Sequence, residues 1–132
     1  MKAEELRIGN ILQYRDDERV KVHLRGTPFV VSADDILFLS EQESQGNIVD
    51  YVEPINITKE LLFKCGFKHH NTDECFKEYK SESMIIEHNE YLNEFNLMYE
   101  LYNEVKYSEL NYVHDIQNLH YILTKEELKI KL

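Results

Sequence analysis

Cys65, His69, His70 and Cys75 place four soft or borderline donors in one short stretch, in the order Cys-x3-His-His-x4-Cys. Zinc accepts such ligands. The spacing is not a usual one, and adjacent histidines on a strand face opposite sides. Cys65 ends an apolar helical segment and Cys75 begins an apolar strand, so both read as buried thiols and no metal is expected. A cysteine nucleophile would need a histidine base converging on it, and nothing in the order of residues arranges that. His114, Asp115 and His120 offer an acid–base set in which His114 and Asn118 share a helical face at i and i+4. They are expected to act as a polar flank or a helix cap rather than as general bases. The carboxylates Glu82, Glu87, Glu90 and Glu94 fall near expected loops, and no pair stands out for hydrolytic work. Glycines at 9, 26, 46 and 66 never cluster into a phosphate-cradling loop. The expectation is therefore a protein without catalytic residues, cofactor or metal, and not an enzyme.

Nine tyrosines and no tryptophan are the one compositional oddity. Tyrosine supplies contact area at little rotamer cost and is enriched at interfaces, although it is also a frequent half-buried strand residue. Tyr99, Tyr102, Tyr107, Tyr112 and Tyr121, concentrated in the C-terminal part, are the expected interaction surface, and a protein is the expected partner.

The 132 residues are enough for one domain or one domain with a small appendage. Hydrophobic residues at 42% and charged residues at 30% are ordinary globular usage, so the chain should fold. No run approaches the roughly 18 apolar residues of a membrane span, and residues 1–10 lack the apolar stretch of a signal peptide. Two cysteines make no disulfide framework. A soluble, cytoplasmic protein is expected. The net charge of −10 is even: residues 1–57 and residues 58–132 each carry −5. No basic stripe is present to neutralise phosphates, which disfavours direct nucleic-acid binding.

Short β-type runs dominate up to Ile57: Ile11 to Tyr14, Arg19 to Leu24, where Val20, Val22 and Leu24 alternate with polar residues, then Phe29 to Val31, Ile36 to Leu39 and Ile48 to Ile55. Five such strands predict a small SH3-like barrel over residues 1–57, with Ser40 to Asn47 as its long loop. Thr58 is placed to cap a helix from Lys59 to Lys64 that stops at Gly66. Glu74 to Tyr79, Ser83 to His88, Glu94 to Leu101 and Val105 to Leu110 predict an antiparallel meander, with Asn71-Thr72-Asp73 as a turn. Val113, Ile116, Leu119, Ile122 and Leu123 predict one buried face of a second helix, Tyr112 to Leu123. Thr124 to Glu127 reads as a capping box opening a final short turn. The predicted fold is α+β: the barrel, then an α+β segment over residues 58–132 with a meander and two helices.

Leu6-Arg7-Ile8-Gly9-Asn10, Glu53-Pro54-Ile55-Asn56-Ile57-Thr58 with Leu61-Leu62 and Gly66-Phe67, and Tyr112 to Tyr121 followed by Leu123-Thr124 and Glu126-Glu127-Leu128 occur in this order along the chain. Together they resemble a family of small uncharacterised proteins from phages, prophages and chromosomes of gut bacteria. The C-terminal block is the most specific part. Members of that family usually carry Gln at the position of Asp115, an aromatic at His120 and Gly at Lys125. The resemblance implies a phage or mobile-element origin and supplies no catalytic residue. The expected function is a non-enzymatic protein-interaction module. The alternatives are a virion structural or packaged protein, or an inhibitor of a host defence enzyme, for which acidic mimicry of nucleic acid is one route, although an even acidic surface is more often a solubility feature.

Overall fold

A computed structural model describes residues 2–72 and 76–131, in which two antiparallel sheets, of three and five strands, accompany three α-helices. The architecture is α+β. The chain divides into two compact units, Met1–Ile55 and Asn56–Leu132.

In the first unit β1 (Ile11–Tyr14) lies between β2 (Pro28–Val30) and β3 (Val52–Pro54), both antiparallel to it. Leu6, Leu12 and Val31 form its core, with Phe29, Ile36 and Leu39 packed against them. Three strands replace the five predicted, and among the described residues no closed barrel is found. Ile36 to Leu39 and the first part of the expected loop, Ser40 to Ser44, form one helix, α1 (Ala33–Ser44). Its ends explain why. The Ser32 hydroxyl accepts from the Asp35 amide, the Asp35 carboxylate accepts from the Ser32 amide, and the two together form a capping box. At the other end Gly46 takes φ +74°, while the Gly46 and Asn47 amides donate back to the Glu43 and Gln42 carbonyls. The alternation from Arg19 to Leu24 also fails to make a strand. Asp17 accepts the Arg19 amide on its carboxylate and the Val20 amide on its carbonyl, which curls the chain into tight turns, and a 3-10 helix follows at Val22–Leu24.

In the second unit Thr58 caps α2 (Lys59–Lys64) by accepting the Leu61 amide. Gly66 at φ +89° ends it, and the Phe67 amide reaches the Leu62 carbonyl, bringing both side chains into the core. A strand without a counterpart in the sequence expectations follows, β4 (Lys68–Thr72); it takes in Asn71 and Thr72 of the expected turn, whose Asp73 lies outside the described residues. Then come β5 (Phe76–Lys80), β6 (Ile85–Asn89), β7 (Glu94–Leu101) and β8 (Glu104–Leu110), and the five form a meander in chain order. Tyr102 and Asn103, both at positive φ, join β7 to β8 as a two-residue hairpin demands.

The last helix, α3 (Val113–Thr124), buries a face that shares Val113 and Ile116 with the predicted one but is turned away from its C-terminal part. Val113, His114, Ile116 and Gln117 are buried, Leu119 is half-buried, and Ile122 and Leu123 are exposed. A run spaced by three residues recedes about 60° per step on a helix of about 100° per residue, so Ile122 lies about half a turn round from Val113. After α3 no further helix forms among the described residues. Instead the Thr124 hydroxyl accepts the Glu126 amide and donates to the His120 carbonyl, and Leu128 and Ile130 of the extended tail pack against the core.

Lys125 ends α3 in the left-handed region, at φ +62°. That conformation costs an L-residue with a β-carbon roughly 1–2 kcal/mol and glycine almost nothing. Lys125→Gly is therefore expected to raise stability by about 1 kcal/mol, seen as a higher urea midpoint at an unchanged slope; a lower midpoint would show that the lysine side chain itself holds the helix end.

Candidate functional site

Side chains alternate across each strand, so the register of the five-stranded sheet sorts them onto two faces. One row of directly paired residues runs His69, Tyr79, Ile86, Leu97 and Ser108. Tyr79 and Ile86 are fully buried, and this inner face shares its core with Leu62 of α2 and Ile116 of α3. The outer face carries the intervening rows. One runs Asn71, Glu78, Glu87, Asn96 and Glu109 across all five strands. A second runs Lys68, Lys80, Ile85, Met98 and Tyr107, and a third holds Phe76, Asn89 and Glu94. A polar, acidic row is thus flanked by rows that mix apolar groups, Phe76, Ile85, Met98 and Tyr107, with lysines, an asparagine and a glutamate.

Asn71, Phe76, Glu78, Glu87 and Tyr107 line a concavity of about 400 Å³ on this face. Phe76 is 41% exposed, and Val105 and Tyr107 are each 52% exposed. A β-bulge between His69 and Asn71 brings Asn71 opposite Glu78.

Glu78 and Glu87 are a directly opposed pair of like charges, an arrangement that destabilises a sheet. Burial, and secondarily the Glu78 carboxylate, push the Glu87 carboxyl above its usual range. Burial, then Glu87 and Glu78, raise the Tyr107 phenol, which keeps it a neutral hydroxyl. A carboxyl whose pKa is higher in the folded than in the unfolded chain takes up protons on folding. Its favourable contribution is complete below the unfolded value and is lost as pH rises through the folded value. Glu87→Gln should therefore gain on the wild type as pH increases from about 4 to about 7, reaching on the order of 0.2–1 kcal/mol at the upper end. Urea midpoints of both proteins at the two pH values check this. An equal offset at both would show that charge at Glu87 is not the cause.

The five tyrosines of the expected surface are spread over the second unit. Tyr107 lies on the outer face, in the concavity. Tyr99 follows Leu97 on the inner-face register and borders a different concavity with Leu123 of α3. Tyr102 occupies the β7–β8 turn and is 91% exposed. Tyr112 precedes α3 with its ring stacked on His114 at 5.5 Å, and Tyr121 is on the last turns of α3. Phe76 and Glu78 carry no functional signal in the sequence, where Asn71 is expected in a turn and Glu87 near a loop. Glu87 lies inside β6 and not near a loop, while Glu90 pairs with Lys77 at 2.6 Å.

Cys65 is buried, and that burial raises its thiol to about 11, so it is not a poised nucleophile. His69 packs edge-on against Tyr79, with ring centroids 5.8 Å apart, and His70 is exposed beside it. Cys75 lies outside the described residues. Among the described residues no three His, Cys, Asp or Glu side chains gather as metal ligands. Asp115 accepts the Asn111 and Tyr112 amides at the start of α3, which makes it a cap. His114 is buried in the same turn, contrary to the polar flank expected of it, and His120 meets the Ser83 hydroxyl at 3.2 Å. His114 Nε2 lies 3.6 Å from Asp115 Oδ1, whereas His120 turns to Ser83, so two of the three meet and the third does not join them.

Comparison with protein-family models, with curated proteins and with solved structures found no match. Among the described residues no helix is long and apolar enough to cross a membrane.

Proposed function

We propose that the chain is a non-enzymatic protein-interaction module of phage or mobile-element origin, acting in the bacterial cytoplasm, and that it binds its partner through the outer face of the β4–β8 sheet. One observation carries this reading: the second unit covers one face of its sheet with α2 and α3, and among its described residues no helix covers the other, although Phe76, Val105 and Tyr107 are exposed there beside Ile85 and Met98. Exposed aromatics next to polar groups are the composition of protein interfaces. The even negative charge supports a protein partner over nucleic acid.

The test is capture from host cells with the full chain as bait, alongside a Phe76→Ser/Tyr107→Ser double variant, followed by reconstitution from the two purified components. Aromatic anchors at an interface contribute about 2 kcal/mol or more, so the double variant should bind at least roughly 30-fold more weakly. A partner that binds both proteins equally would place the interface elsewhere and overturn the reading.

A further inference from the structure

We infer that the outer face receives an arginine side chain, so that the partner presents an arginine-bearing basic segment to the row formed by Asn71, Glu78, Glu87, Asn96 and Glu109. This rests on the interaction reading above and specifies the chemistry of the partner. The row holds three carboxylates and two carboxamides on adjacent strands, which lie about 4.8 Å apart in any sheet. Neighbouring carboxylates at that separation are within reach of one planar guanidinium, which donates five N–H bonds in a fixed fork. Among the described residues no cation pairs with Glu78 or Glu87.

The walls of the concavity favour the same ligand. Phe76 and Tyr107 bound it on either side of the two carboxylates. A guanidinium stacks on aromatic faces and is weakly hydrated, so it gives up its water for such a site more readily than an ammonium. The net charge of −10 would hasten encounter with a basic partner. The opposed pair that weakens the free sheet is the pair a bound cation would neutralise.

The probes are a short arginine-serine peptide, its lysine-serine counterpart and a glutamate-serine control, each titrated into the isotope-labelled full chain and followed by amide chemical shifts. The expected result is a set of shifts confined to the outer-face rows of β4–β8, with the arginine peptide binding several-fold tighter than the lysine peptide. Glu78→Gln/Glu87→Gln should lower that affinity by about tenfold or more. Glu18→Gln/Glu41→Gln, an equal charge loss at exposed positions of the first unit, should change it by less than about twofold. Relief of the opposed charges keeps the first double variant folded, which its amide spectrum verifies. Shifts scattered over the whole acidic surface, equal weakening by both double variants, or equal affinity for arginine and lysine would each overturn the inference. Partner capture that is lost in Phe76→Ser/Tyr107→Ser but kept in Glu78→Gln/Glu87→Gln would sink the arginine assignment alone, whereas capture kept in both would sink the interface reading itself.

Discussion

Ile116→Ala is expected to cost the protein about 2–5 kcal/mol, and Ile122→Ala less than about 0.5 kcal/mol, although both are isoleucines of the same helix. Ile116 is 1% exposed and belongs to the cluster that joins α3 to Tyr79, Ile86, Phe95 and Leu110. Truncating it removes three carbons from contact and leaves a void that the rigid sheet cannot close. Ile122 is 66% exposed, so its side chain is already in water in the folded state. Urea unfolding of the two variants measures the difference directly. Equal losses would mean that α3 is rotated on the sheet, with the spacing-predicted face inward after all.

Tyr79 gives the second large effect, and its sign depends on which part of the side chain is removed. The residue is fully buried, its ring meets Phe63 at 5.7 Å and His69 at 5.8 Å, and its hydroxyl has no hydrogen-bond partner among the described residues. Tyr79→Ala empties the centre of the inner face and should cost about 3–5 kcal/mol, as for other buried aromatics. Tyr79→Phe keeps the ring and removes a hydroxyl that left water without compensation, a burial that ordinarily costs about 1–3 kcal/mol. The phenylalanine variant should therefore melt higher than the wild type while the alanine variant melts far lower. A Tyr79→Phe variant that loses more than about 0.5 kcal/mol would show that the hydroxyl is bonded in solution.

Much of the second unit was legible because its signals are local. The Thr58 cap and the Gly66 stop fixed α2 at its observed ends, and the β7 run was read at its observed bounds. In the first unit equally local signals were overruled. Ser32-x-x-Asp35 and Gly46 mark both ends of α1, yet Ile36 to Leu39 resembles a strand in composition. Ile36 and Leu39, three apart, were the helical pair that packs on the core. Val20 and Val22 show the opposite failure: the alternation is real, but local bonds to Asp17 curl the backbone and leave Val22 exposed.

The candidate face depended on a different kind of information. Its strands show their alternation in the sequence, with Phe76, Glu78 and Lys80 out of phase with Tyr79, and Ile85 and Glu87 out of phase with Ile86. Charge, helix caps, glycine stops and these periods were determined by the sequence itself, because each depends on residues a few positions apart. Which side chains become neighbours was decided only by the tertiary structure. Backbone hydrogen bonds are nearly equivalent in any register, while a slip of one residue sends every side chain to the other face. The bulge after His69 and the packing of Tyr79 and Ile86 beneath α3 select one register from many, and that register sets Glu78 opposite Glu87.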